Sequence, residues 1–160
     1  MILALCGTQK QSFERLWFNI RPLLASEEWI IQSGHNKWET DLSHVKIVNF
    51  VPNEQLLNWL EQADLIITHA GAGSMLQAIQ MKKKIIAVPR LKKYKEHVND
   101  HQLELAQKFE SLGYLKVLNS EDNLKTLIDS MTTFHPTSYQ SNNPLIPHLT
   151  QRFEEILSKK

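Results

Sequence analysis

Two stretches of this chain combine side chains and spacings that suit chemistry. In the first, the apolar run Leu65-Ile66-Ile67 leads through Thr68 into His69, Ala70, Gly71, Ala72, Gly73 and Ser74, and then into an apolar helical pattern. A run that short suits a buried parallel strand. A helix that opens on Gly71-Ala72-Gly73-Ser74 leaves its first backbone N–H groups uncovered by side chains, so the positive end of its dipole can face a phosphate. Glycines after a strand also serve simply as a tight βα turn. The second stretch runs from His97 through Asn99-Asp100-His101-Gln102 to Ala106. Its two histidines stand four residues apart, the spacing of zinc ligands on a helix. The Glu that an HExxH site needs is missing and no third ligand is evident, so no metal is expected.

Other chemistries lack their signatures. The turn Gly7-Thr8-Gln9 is not GxGxxG, GxxxxGK[ST] is absent, and Ser74 does not sit in a GxSxG elbow. Dehydrogenase, P-loop and serine-hydrolase readings therefore find no support.

The elements that position these residues alternate along the chain. Met1 to Cys6 reads as a strand, followed by a helix capped by Ser12 with Phe13, Leu16, Trp17, Ile20 and Leu24 on one face and Pro22 near its end. Trp29 to Ile31 and Val45 to Val51 are strands, and Asn53 caps a helix through Leu56, Leu57, Trp59 and Leu60. Lys84 to Val88 forms a further strand before Pro89. A helix from Val98 to Leu112 stops at Gly113, Tyr114 to Leu118 is the sixth strand, and Ser120 caps another helix. Strands alternating with helices at this spacing give an α/β fold, a doubly wound and mostly parallel six-stranded Rossmann-like sheet. In such sheets ligands bind at the carboxyl ends of the strands. The Gly7, Val51, His69–Ser74 and Arg90–Gln102 segments all leave from that edge.

Residues 1–134 make one domain on this reading. Residues 135–147, with three prolines, form a linker, and 148–160 a C-terminal amphipathic helix that packs on the domain or on a partner. At 160 residues the chain is long enough to bury a core without disulfides. Its single cysteine, Cys6, reads as inert core and suits a reducing, cytoplasmic setting. No apolar run approaches the roughly 18 residues of a membrane span, and no basic region precedes the first apolar run as in a signal peptide. The net charge of +1 gives no global case for nucleic acid. Lys82, Lys83, Lys84, Arg90, Lys92, Lys93 and Lys95 cluster without an acid and form a candidate patch for phosphate, acidic lipid or plain solvent. Trp38, with polar neighbours on both sides, is a candidate for an exposed partner contact or for a side chain folded back on the core.

HAGAGS at 69–74, the Pro89 loop and NDHQLELA at 99–106 together resemble the C-terminal, donor-binding half of glycosyltransferase family 28. That family has the GT-B architecture. Within it, the resemblance is strongest to the soluble subunits of two-chain UDP-sugar transferases, those acting on dolichol-linked acceptors and the PssE type of exopolysaccharide and capsule synthesis. It covers roughly residues 1–118.

The resemblance implies a nucleotide-sugar site. Gly7 and Thr8, with His69, Ala70, Gly71, Ala72, Gly73 and Ser74, match the segments that hold the donor diphosphate, Val51 the position whose backbone meets the uracil, and Gln102 the position that touches the donor sugar, with His101 beside it. No metal or other cofactor is then required. Gln77 stands where the family usually has a Glu for the ribose hydroxyls, and an amide accepts more weakly than a carboxylate. No residue is a clear catalytic base. His69 and His101 are the candidates, and His69, at a strand end, has the alternative of only fixing its turn.

A GT-B enzyme has a second, acceptor-binding domain, and these 160 residues are expected to supply only the donor-type one. The resemblance therefore implies a membrane-associated partner of the PssD type, bringing the lipid-linked acceptor and holding this chain peripherally at the membrane. The expected function is the donor-binding subunit of an inverting glycosyltransferase. The alternative is a non-catalytic stabilising or enhancing subunit.

Overall fold

Short apolar runs become strands where both faces of the sheet are covered. The computed structural model describes residues 1–140 and residue 151. Strands β1 (Ile2–Leu5), β2 (Trp29–Gln32), β3 (Val45–Val48), β4 (Leu65–Thr68), β5 (Lys84–Ala87) and β6 (Lys116–Val117) form one sheet in the order β3-β2-β1-β4-β5-β6. Every pairing is parallel, with Ile2 beside Trp29 on one side and Leu65 on the other. This is the doubly wound order, in which the chain winds outward in opposite directions from the β1–β4 boundary. The expected α/β sheet is the one found.

Alternation along each strand divides the core between the two faces. Leu3, Leu5, Ile66 and Ile85 face helices α2 (Asn53–Gln62), α3 (Ala72–Gln80) and α4 (His101–Ser111), where Trp59, Leu60, Met75, Ile79, Leu105 and Phe109 are buried. Ile2, Ala4, Cys6, Ile67 and Ile86 face α1 (Glu14–Ile20) and α5 (Leu124–Ser130), meeting Phe13, Leu16, Trp17, Ile20 and Leu124. Each fully buried aliphatic side chain contributes about 2 kcal/mol. Burial pushes the Cys6 thiol far above its ordinary pKa, so it stays protonated core.

Helix starts depart from the sequence reading. Ser12 does not cap α1; its hydroxyl meets Glu14, and the Phe13 N–H at the entry is taken by Asn36 Oδ1 at 2.8 Å, from a loop 23 residues away. Asn53 lies inside α2, whose N-cap position is Pro52. Helix α4 begins at His101 rather than Val98, which is exposed in the preceding turn. The last described helix is capped by Asn123, accepting from the Thr126 N–H at 3.1 Å, rather than by Ser120. The first helix is also shorter than its apolar face through Leu24 suggests: ahead of Pro22, α1 stops at Ile20, and Arg21–Ser26 continues as a 3₁₀ turn.

Trp38 is a core residue rather than an exposed partner contact. It is 5% exposed, stacks on Trp17 with ring centroids 5.1 Å apart, and donates from Nε1 to Glu14. The basic cluster is not one face either. Lys83 and Lys84 fold onto backbone carbonyls near the amino ends of the strands, at Ala63 and Thr132, while Lys92, Lys93 and Lys95 are exposed beyond β5. Arg90 is wholly buried.

After α5 the chain returns over the end of α4, where the Thr137 N–H donates to the Gly113 carbonyl at 3.0 Å. The rest of the expected linker, 141–147, and the expected C-terminal helix, 148–160 apart from residue 151, lie outside the described residues.

Candidate active site at the carboxyl ends of the strands

Where β1 and β4 part, the turns that follow them open a crevice of about 360 Å³. It is lined by Gly7, Thr8, Val51, the whole of His69–Ser74, His101 and Gln102. The fold thus brings eleven of the twelve expected site residues to one place. Gln77 does not line it; it sits one turn further along α3, half-buried.

His69 sets the shape of the floor. Its Nδ1 lies 3.1 Å from the Leu5 carbonyl, which can only accept, so Nδ1 carries the proton and Nε2 the lone pair. The ring is wedged between the two turns: a Cβ on Gly7 would come within 2.3 Å of Nε2, and one on Gly71 within 2.4 Å. Both glycines are there to admit the imidazole. Ala70 takes the left-handed conformation, φ 64°, that carries the chain around it. Burial, reinforced by the positive charge of Arg90, lowers the His69 pKa from 6.5 to about 4. At neutral pH the ring is uncharged.

The two turns offer different things to a ligand. Gly7 has φ 74°, and its N–H already donates to Gln32 Oε1 at 3.0 Å. In the β4 turn Gly71 is the N-cap of α3, and the first intrahelical bond is made by the Met75 N–H to the Gly71 carbonyl at 3.0 Å. The N–H groups of Ala72, Gly73 and Ser74 precede that bond and point out of the helix end. A Cβ added to Gly73 would meet nothing within 4 Å, and its φ is not positive. Neither packing nor backbone conformation asks for glycine there. A ligand approaching closely would.

Behind the floor lies an ionic network that the sequence reading missed. Arg90 donates to the carbonyls of Gln11 at 2.7 Å, Cys6 at 3.1 Å and Glu96 at 3.2 Å, with its guanidinium 4.5 Å above the Phe13 ring. Glu96, 3% exposed, accepts from Arg15 Nε at 3.0 Å and Nη2 at 2.7 Å and from the Leu91 N–H at 3.0 Å. Arg15 is paired with Glu96, whereas Arg90 is held by backbone carbonyls, and the Arg90 charge is the one His69 feels; a positive charge under the crevice favours an anion above. This basic stretch reads from sequence as solvated surface because its carbonyl partners lie up to 84 residues away.

On the α4 side, Gln102 Oε1 accepts the Arg90 N–H at 3.1 Å, which leaves its amino group as a donor to the crevice. His97 Nδ1 accepts the Asn99 N–H, and Asn99 Oδ1 accepts the His101 N–H. His97 precedes α4, so the two histidines do not share a helix face as the i, i+4 spacing suggests. Among the described residues no group of His, Cys, Asp and Glu is placed to hold a metal. On the β3 side Phe50, half exposed, stands beside Val51 at the mouth with His35 edge-on to its ring at 5.0 Å. Gln32 and Phe50 line the crevice without a spacing or motif that marks them in the sequence, and His97 and Asn99, from the stretch with the paired histidines, line it as well.

The model of the glycosyltransferase family 28 C-terminal domain matches residues 1–156. The chain belongs to this family. Among curated relatives, family 28 resemblance extends to the UDP-N-acetylglucosamine transferase subunit ALG13 of Candida albicans, 32% identical over 92 residues, which cover 52% of this chain and 30% of that protein. The UDP-N-acetylglucosamine–N-acetylmuramyl-(pentapeptide) pyrophosphoryl-undecaprenol N-acetylglucosamine transferase of Geobacillus kaustophilus is 28% identical over 127 residues, 76% of this chain and 34% of that protein. The match thus spans about a third of each relative's length. A solution structure of ALG13 superposes with a TM-score of 0.57 at 22% identity, covering 93% of this chain and 94% of that one, which shows a shared fold. Family 28 membership and this shared fold agree with the doubly wound sheet.

Proposed function

We propose that this chain is the donor-binding subunit of a two-chain inverting glycosyltransferase, holding a UDP-sugar in the crevice. The observation that carries the reading is the open end of α3, with three outward N–H groups and a glycine that nothing inside the protein requires. The relatives named as UDP-N-acetylglucosamine transferases make UDP-N-acetylglucosamine the first donor to test.

Laid across the strand ends, the ligand places its uracil against Val51 and Phe50 and its diphosphate over Thr8 and the Ala72–Ser74 N–H groups. From β3 to β4 is three strand spacings, about 14 Å, room for a base, a ribose and two phosphates. Gln102 meets the sugar. As an acceptor hydroxyl attacks the anomeric carbon from the far side, the bond to UDP breaks and negative charge develops on the β-phosphate. Preorganised N–H donors, the α3 dipole and the buried Arg90 stabilise that charge without a metal.

The acceptor, and the base that takes its proton, are assigned to a partner chain of the PssD type that carries the lipid-linked substrate. That partner would also bring the chain to the membrane, since among the described residues no helix is long and apolar enough to cross one. The test is transfer by the reconstituted pair. Gln102→Ala should lower transfer from UDP-N-acetylglucosamine at least about tenfold, the value of roughly one hydrogen bond to the sugar, with the complex intact. Unchanged transfer would assign the chain the stabilising role instead.

A further inference from the structure

One side chain ties the phosphate side of the crevice to the base side. Gln32, at the end of β2 and 8% exposed, lies in the sheet between β1 and β3. Its Oε1 accepts the Gly7 N–H at 3.0 Å, and its Nε2 donates to the Gly7 carbonyl at 3.1 Å and to the Asn49 carbonyl at 2.8 Å. Both polar groups of Gly7 are therefore held by one amide. The Asn49 carbonyl immediately precedes Phe50 and Val51 and also accepts the Gly34 N–H at 3.0 Å. Gly34 closes in from the same side, since a Cβ on it would come within 2.4 Å of the Gly7 oxygen. No other residue type supplies an acceptor and two donors in one plane at this length.

We infer that Gln32 is a positioning residue that fixes the distance between the Gly7–Thr8 turn and the Phe50–Val51 wall, and so sets the crevice for ligands that span both. The inference rests on the nucleoside-diphosphate reading of the crevice. A brace of this kind acts on ligands in a particular way. A ligand touching one wall gains nothing from the separation being fixed. A ligand touching both binds a preorganised site and avoids the cost of ordering it. Gln32 therefore contributes to the advantage of UDP over uridine while leaving uridine itself almost unaffected.

The measurement is calorimetric titration of the full chain with UDP and with uridine, for the wild type, Gln32→Glu and Gln32→Ala, beside thermal unfolding of each. Gln32→Glu keeps the volume and the acceptor for the Gly7 N–H but loses both donors, and its carboxylate faces two carbonyl oxygens. UDP affinity should fall about tenfold or more in both variants while uridine affinity changes less than about twofold, narrowing the ratio between them. Equal losses for the two ligands, or an unchanged ratio in a folded variant, would overturn the inference. A wild type that binds no UDP fails the functional reading itself, before any variant is compared.

Discussion

Two glycine turns meet at the crevice, and they use glycine for opposite reasons. After β1, Gly7 is occupied on every side: Gln32 holds its N–H and carbonyl, His69 fills the space of its missing Cβ, and Gly34 presses on its oxygen. After β4, Gly71 likewise yields space to His69, but Gly73 faces nothing within 4 Å and the N–H groups around it are left to the solvent side. The β1 turn is frame; the far end of the β4 turn is cradle. The comparison shows that a glycine-rich motif is not uniformly functional, since part of HAGAGS serves its own histidine.

Substituting within the frame should do the most damage. Gly71→Val drives a branched side chain into the imidazole, and we expect about 3 kcal/mol or more of lost stability, read as a fall in the urea midpoint, together with loss of UDP binding. His69 gives the next effect. Its pKa is about 4 in the folded protein and 6.5 ordinarily, so as pH falls the unfolded chain takes up this proton first. Its contribution to stability is whole above about pH 6.5 and declines toward pH 4, by at most about 1.4 kcal/mol per pH unit. His69→Asn keeps a donor for the Leu5 carbonyl, and urea unfolding between pH 7 and 5 should be correspondingly less pH-dependent than in the wild type.

The cradle should respond in the reverse sense. Gly73→Ala places its methyl in open space within a helix, so stability should rise by about 0.5–1 kcal/mol while UDP affinity falls about tenfold. If the variant bound UDP as the wild type does, Gly73 would belong with the frame. Gln77→Ala marks how far the cradle extends along α3. With Gln77 outside the crevice, UDP affinity should change by about twofold or less.

Much of this was legible in the chain. Leu65-Ile66-Ile67 and the other apolar runs announce strands because both faces are buried, and the order of strands and helices leads to the sheet edge where ligands gather. What stayed hidden depends on partners distant in sequence. Asn36 caps α1 from another loop, Arg90 turns inward because carbonyls at Cys6 and Gln11 await it, and Trp38 finds Trp17. Gln32 gives no sequence signal: its role is a property of where β1 and β3 end relative to β2.

The most direct test is titration of the purified full chain with UDP in EDTA, alongside Gly73→Val. Saturable one-to-one binding by the wild type, lost in a variant that unfolds at about the same urea midpoint, is the predicted result. A wild type that does not bind UDP, or a folded Gly73→Val that binds it equally well, would contradict the cradle at the end of α3.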